Sequence, residues 1–251
     1  MIFKRRIIMK KTVLITGASG GIGSEICRIF AKNGFDVLAQ YNNGKEEIEK
    51  LKKEVEKMFG VSFVPLKADL SKKEDCLNFC ETALSVSKNI DVLVNNAGIS
   101  LRGLFQLVDE TEAKKLLSVN LESAMTITRK IIPSMISKKS GKIVNVSSMW
   151  GIYGGSCEVD YSASKAALIG FSKALSREVG PSGINVNCVA PGFIETKMNS
   201  CFDEETKREI AEDCSLCKNG TPSDVAELVF FLASEKAAFI TGQTISVDGG
   251  R

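Results

Sequence analysis

Thr16-Gly-Ala-Ser-Gly-Gly-Ile-Gly23 is the stretch on which the fold of this chain turns. It follows a short apolar run, Val13–Thr16, and opens a segment in which Ile22, Ile26, Ile29 and Phe30 recur at helical spacing until Gly34. Glycines permit a tight turn and a close backbone approach. The helix N-terminus beyond them presents free N–H groups and the positive end of a dipole, a good seat for a diphosphate. The spacing Gly17-x-x-x-Gly21-x-Gly23 differs from G-x-G-x-x-G, and no Gly-Lys-Ser/Thr follows to make a P-loop. On these residues alone, a purely structural turn stays an open alternative.

Working outward, strand-like and helix-like runs alternate. Strands are expected at Phe35–Gln40, Val61–Lys67, Asp91–Val94, Lys142–Val146, Ile184–Val189 and Thr244–Val247. Helices are expected at Lys45–Phe59, Glu74–Val86, Tyr161–Val179 and Ser223–Ala233, with one long helix from Thr111 to Ser137 bent near Pro133. Asp203–Lys218 reads as polar and irregular with a helical flavour. Repeated β-α units with continuously apolar strands mean a parallel sheet covered on both faces. No linker, repeat or low-complexity tract interrupts residues 10–251, so a single α/β domain is expected there, with residues 1–9 as a flexible extension ending at a second methionine.

Composition narrows the chemistry. The 251 residues carry 33 basic and 30 acidic side chains, a formal charge of +3 that does not suggest a nucleic-acid binder. Histidine is absent, which excludes a Ser-His-Asp triad, a Cys-His dyad, a His-ligated zinc and an imidazole base. Of the eight cysteines, Cys27, Cys76, Cys80 and Cys188 fall inside apolar patterns, where Cys acts as a small hydrophobe. Met1–Lys10 has no signal-peptide character, so free thiols in a reducing cytoplasm are expected. Cys214-Ser-Leu-Cys217 lacks the second pair or histidines of a metal site, and no metal is expected. No run reaches the ~18 apolar residues of a membrane span.

A second constellation supplies acid–base chemistry without histidine. Ser147 and Ser148 end the fifth strand, and Tyr161 and Lys165 lie four apart on the next helix, sharing a face. A free phenol titrates near pH ~10. A neighbouring ammonium stabilises the phenolate, so such a pair is expected to lower that value.

These features together resemble the short-chain dehydrogenase/reductase family over residues 10–251. The resemblance rests on the stretch at 16–23, Ala68-Asp69-Leu70, Asn95-Asn96-Ala97-Gly98, Val119-Asn120, Ser148, Tyr161-x-x-x-Lys165, Pro191-Gly192 and Ser246-Val-Asp-Gly-Gly250. Residues 161–172 and 189–196 look most like the 3-oxoacyl-[acyl-carrier-protein] reductases within it. The resemblance implies a doubly wound Rossmann fold with a seven-stranded parallel sheet, a homotetramer, and reduction of an acyl thioester in fatty acid biosynthesis. It makes Tyr161 the proton donor, Ser148 a hydrogen-bond donor to the carbonyl oxygen, Lys165 the holder of the ribose and partner of Tyr161, and Asn120 a relay residue. It places the cofactor against Gly17, Ala18, Ser19, Gly20, Gly21, Ile22 and Gly23, Asp69 and Leu70, Asn96, Ala97 and Gly98, Tyr161 and Lys165, and Pro191, Gly192, Ile194 and Thr196.

Cofactor choice turns on the end of the second strand, Ala39-Gln40-Tyr41-Asn42-Asn43-Gly44-Lys45, which has no acid before Glu46. An acid there accepts from the ribose 2′-OH of NAD and repels a 2′-phosphate. Its absence favours NADPH, with Asn42 and the Tyr41 backbone as donors and Lys45 as the nearby cation. Gly20 stands where many NADP-dependent relatives carry a cation, so NAD stays admissible. Other readings stay open on the sequence: a secondary-alcohol or sugar dehydrogenase, and a non-catalytic dinucleotide sensor. Ser100–Leu107, Gly151–Glu158 and Asn199–Lys218 are expected to wall the substrate. Trp150 either lines that cleft or packs at the strand end, and Lys138, Lys139 and Lys142 form either a carrier-protein docking patch or a solvated face.

Overall fold

In the computed structural model, which describes residues 10–251, the apolar runs pair as one parallel sheet of seven strands in the order β3-β2-β1-β4-β5-β6-β7. The expected flexible extension, residues 1–9, lies outside the described residues. The strands are β1 Thr12–Ile15, β2 Asp36–Tyr41, β3 Phe63–Lys67, β4 Val92–Asn95, β5 Gly141–Val146, β6 Ile184–Pro191 and β7 Thr244–Val247. The helices are α1 Gly21–Lys32, α2 Lys45–Phe59, α3 Lys73–Val86, α4 Glu110–Leu117, α5 Ser123–Lys138, α6 Trp150–Tyr153, α7 Val159–Val179, α8 Glu204–Glu212 and α9 Pro222–Ala233.

The strands read as continuous apolar runs because both faces are covered. Val13 and Ile15 point into a layer with Phe30 of α1, Ile48 of α2 and Val225 of α9. Leu14, between them, points into the opposite layer with Phe79 of α3 and Ile127 and Met135 of α5. Each such fully buried side chain contributes about 1.5–3 kcal/mol. Phe30 meets Phe35 and Phe230 edge-on, with ring centroids 5.1 and 5.2 Å away, and so locks α1 to α9.

The long helix expected over 111–137 departs from that reading. A π-helical turn, Ser118–Glu122, divides it into α4 and α5, and α5 runs on through Pro133. The proline is tolerated because it is exposed and the carbonyl it orphans belongs to Arg129, itself on the solvent face. The polar 203–218 segment does fold over α8, capped where Asp203 Oδ1 accepts the Thr206 N–H at 2.8 Å.

Lys138, Lys139 and Lys142 lie at the N-terminal edge of the sheet, away from the glycine-rich turn. Lys138 pairs with Asp91 at 2.8 Å, and Lys142 donates to Asn185 Oδ1 at 2.8 Å. Lys138 therefore ties α5 to the start of β4 and Lys142 ties β5 to β6, while Lys139 is exposed. All eight cysteines are unbonded. No helix among the described residues is long and apolar enough to cross a membrane.

Candidate active site

The sheet order reverses between β1 and β4, and sheets of this kind take ligands outside the carboxyl ends of the strands at that point. The turn at 16–23 occupies that place, held by hydrogen bonds from three directions. Gly17 N–H donates to Gln40 Oε1 at 2.8 Å, and Ala18 N–H to the Gln40 carbonyl at 2.8 Å. The Thr16 hydroxyl accepts the N–H groups of Asn96 and Ala97, each at 3.0 Å. The Asn96 side chain donates back to the carbonyls of Thr16 and Gly17.

Glycine is required at two of these positions. Gly17 has φ +67°, and a Cβ there would sit 2.9 Å from Ala97 Cα. A Cβ on Gly23 would lie 2.1 Å from the Gly17 carbonyl oxygen. The result is bare backbone at the head of α1, where Gly20 supplies no side-chain cap to the first N–H groups. Uncapped donors beside a cradle with no room for side chains fit the diphosphate of a dinucleotide. Ser19 meets the loop after β2, where a Cβ on Gly44 would lie 2.6 Å from Ser19 Cβ. Thr196 presses on the other side, its Cγ2 2.9 Å from where a Gly21 Cβ would be. Ile22 packs its side chain into the core.

The remaining expected cofactor residues line the same edge. Asp69 Oδ1 accepts from the Ser71 hydroxyl at 2.7 Å and its N–H at 3.1 Å; those bonds hold its carboxyl below the usual range. Leu70 is buried beside it. Asn42 is exposed, whereas the Tyr41 ring packs in the core, leaving only its backbone at the edge. Pro191 ends β6, its carbonyl accepting the Met149 N–H at 2.8 Å. Gly192 lies against Asp248, and Ile194 is buried next to Gly220.

Four polar side chains meet at the ends of β4 and β5. Ser148 is buried at the end of β5, its Oγ accepting the Trp150 N–H at 3.2 Å. Lys165, 3% exposed, reaches from α7 to donate to the Val146 carbonyl at 2.9 Å, and its Nζ lies 5.7 Å from the centroid of the Tyr161 ring. The same Nζ is 3.2 Å from where a Gly98 Cβ would be, so Gly98 leaves the room the ammonium needs. Asn120, 1% exposed, sits in the π-helical turn. Its Oδ1 accepts from Ile99 N–H at 2.8 Å, and its Nδ2 donates to the Ile99 carbonyl at 2.9 Å and to Ser164 Oγ at 3.2 Å.

Burial dominates the electrostatics. It pushes Tyr161 up to about 12; Glu158 adds to the rise, while the Ser148 hydroxyl and Arg102 oppose it. The expected lowering by Lys165 does not appear: its Nζ stays 5.7 Å from the ring centroid, burial outweighs Ser148 and Arg102, and the phenol is protonated at neutral pH. Burial also lowers Lys165 to about 8.

The sequence singled out Asn95 at its strand end, but not Gln40 or the Asn145 side chain to which Asn95 is joined. Gln40, 2% exposed, joins Gly17 to β3's exit by donating to the Ala68 carbonyl at 2.8 Å. Asn95 donates to Asn145 Oδ1 at 2.8 Å and to Thr128 at 3.1 Å, and Asn145 donates to Ser172 at 2.8 Å. The available signal was a polar residue interrupting an otherwise apolar strand, which has to find a buried partner. Trp150 packs over Gly155 and faces Arg251, 5.8 Å from its ring.

A family model described as short chain dehydrogenase matches residues 11–207. Over 242 residues the chain is 42% identical to the "Uncharacterized oxidoreductase YmfI" of Bacillus subtilis, covering 96% of this chain and 99% of the relative. It is 37% identical over 242 residues to the 3-oxoacyl-[acyl-carrier-protein] reductase FabG of Staphylococcus epidermidis, with coverage of 96% and 99%. Among solved structures it resembles the L-sorbose reductase of Gluconobacter frateurii, complexed with NADPH and L-sorbose, at a TM-score of 0.90 and 27% identity, covering 96% of each chain.

Proposed function

Because this chain belongs to the short-chain dehydrogenase family, we propose that it is an NADPH-dependent reductase. Its proposed substrate is a 3-oxoacyl thioester carried by an acyl carrier protein, reduced to the 3-hydroxyacyl form for fatty acid synthesis in the cytoplasm. The observation that carries the reading is the convergence of Ser148, Tyr161, Lys165 and Asn120 beside the uncapped N-terminus of α1. The likeness to the Staphylococcus epidermidis reductase supports the choice of substrate.

In this reading the residues at 17–23 hold the diphosphate, and Asp69, Leu70, Asn96, Ala97 and Gly98 bound the adenosine half. Pro191, Gly192, Ile194 and Thr196 flank the nicotinamide, and Lys165 holds its ribose hydroxyls. NADPH bound there supplies the hydride. Tyr161 gives its proton to the carbonyl oxygen, and Ser148 donates a hydrogen bond to the same oxygen as charge develops on it. A phenol held protonated by burial suits a donor. Lys165, titrating near neutrality, replaces that proton, and Asn120 holds the relay open towards solvent.

NADPH is preferred because no acid stands between Tyr41 and Lys45, and Asn42, Asn43 and Lys45 are exposed there. Glu47, whose Oε2 lies 3.4 Å from where a Gly44 Cβ would be, is paired with Lys197 at 2.9 Å. The second reading is a sugar or secondary-alcohol dehydrogenase, favoured by the likeness to the sorbose reductase. Turnover of acetoacetyl-coenzyme A, L-sorbose and a secondary alcohol, each with NADPH and NADH, tests both. The proposal expects the thioester and NADPH to give the highest kcat/KM. Sugar turnover with no thioester turnover would overturn it in favour of the second reading.

A further inference from the structure

Arg102 lies in the segment after β4 and joins three stretches that were expected to wall the substrate. Its Nε donates to Glu158 Oε1 at 3.0 Å, Nη1 to Cys201 Sγ at 3.0 Å and Nη2 to Asn199 Oδ1 at 3.3 Å. The guanidinium also lies 4.4 Å from the centroid of the Phe202 ring. Asn199 is held in turn by donating to the Ile194 carbonyl at 2.8 Å, and Phe202 meets Phe193 at 5.6 Å. Glu158 stands at the head of α7, its carbonyl accepting the Ser162 N–H at 2.8 Å, next to the residue that presents the phenol. The Glu158 side chain is 11% exposed and that of Arg102 34%.

We propose that Arg102 is a positioning residue of the reduction, whose guanidinium clamps residues 199–202 onto Glu158 at the head of α7 and so sets the opening above Tyr161. The inference deepens the reductase reading and rests on Tyr161 as the reacting group. An exposed ion pair would be too weak to hold a segment. Here the carboxylate is nearly dry, and the planar fork spends separate donors on separate elements while its face stacks on Phe202. A lysine point charge cannot make all of these contacts.

The charged groups facing Tyr161 are Lys165 in α7, Glu158 at its head and Arg102 opposite. Glu158 disfavours the phenolate and Arg102 favours it. Loss of either half of the pair therefore shifts the phenol in opposite directions, which a purely structural contact would not do.

The test uses the full chain as Arg102→Gln, Arg102→Lys and Glu158→Gln, with exposed Arg177→Gln as the control. Hydrogen exchange over residues 199–202, which needs no substrate, is expected to quicken about tenfold in Arg102→Gln, less in Arg102→Lys, and not at all in the control. With acetoacetyl-coenzyme A and NADPH, KM is expected to rise about tenfold in Arg102→Gln, with a smaller fall in kcat. In the reverse oxidation of 3-hydroxybutyryl-coenzyme A, the acidic limb should move up in pH in Arg102→Gln and down in Glu158→Gln. Unchanged exchange in Arg102→Gln overturns the clamp. Faster exchange with unchanged KM and pH limbs overturns the positioning role. If the parent chain turns over neither thioester, the substrate reading fails while the exchange measurement still decides the clamp.

Discussion

At the scale of single residues, the proposed acid–base groups are a phenol and an ammonium, which ordinarily titrate far from neutrality. Tyr161→Phe keeps the ring and removes the proton; kcat is expected to fall by about 10³-fold or more, with NADPH affinity nearly unchanged by fluorescence titration. Lys165 gives a stability signature. Its folded value, about 8, lies below the ordinary 10.5 of a lysine, so between those limits the unfolded side chain is protonated while the folded one is not, and its contribution to stability rises with pH. Buried Cys27 and Cys188, whose thiols burial pushes up, act in the opposite sense over the same range, so the Lys165 contribution is read as a difference: the gap in ΔG between the parent and Lys165→Met, measured without nucleotide, should grow in the parent's favour from pH 8 to 10 by up to about 3 kcal/mol. Above pH 10 the raised Tyr161 acts in the opposite sense, because the unfolded phenol ionises first. Tyr161 and Lys165 were legible in the sequence because helical spacing alone puts residues four apart on one face. Arg102 was not: its partners at 158, 199 and 201 are far away in sequence and follow no period.

At the scale of elements, the strands were legible because two-sided burial writes itself as unbroken apolar runs. Their expected ends agree closely with the structure, β6 running on to Pro191. The π-helical turn at Ser118–Glu122 was not legible. Nothing in the composition of Ser-Val-Asn-Leu-Glu separates one widened turn from the helix around it, and Pro133 drew attention to the wrong place. The widened turn sets the direction in which Asn120 points, towards Ile99 and Ser164. Deleting Val119 removes the extra residue of the widened turn, so α-helical winding should resume with the flanks nearly in register and Asn120 turned away from Ile99 and Ser164. The variant is expected to keep its far-ultraviolet circular dichroism and lose about 100-fold in kcat, since the relay side chain no longer meets its partners. Full activity in that variant would remove the reason for the turn.

At the scale of the whole molecule, β7 forms an open edge of the sheet, each of its residues only partly buried, and Phe239 nearby is fully exposed. An apolar sheet edge left open invites pairing. Together with the family resemblance it supports the proposed homotetramer. Light scattering at micromolar concentration should return four times the chain mass, and Phe239→Lys should shift it downwards; a stable monomer in the parent chain would refute the assembly.

The turn at residues 17–23 has a consequence in time as well as in space. Its walls come from distant parts of the chain: the Asn96 side chain, bonded to Thr16 80 residues earlier, and Thr196, pressed on Gly21 from beyond β6. A chain still emerging from the ribosome carries the glycines early and lacks their enclosure until residue 196 is out. Non-local closure of this kind is slow compared with helix formation. In stopped-flow refolding, NADPH fluorescence enhancement should lag behind the helical signal, and nascent chains halted before Thr196 should not retain nucleotide. Nucleotide affinity is thus expected to be among the last properties this protein acquires as it folds.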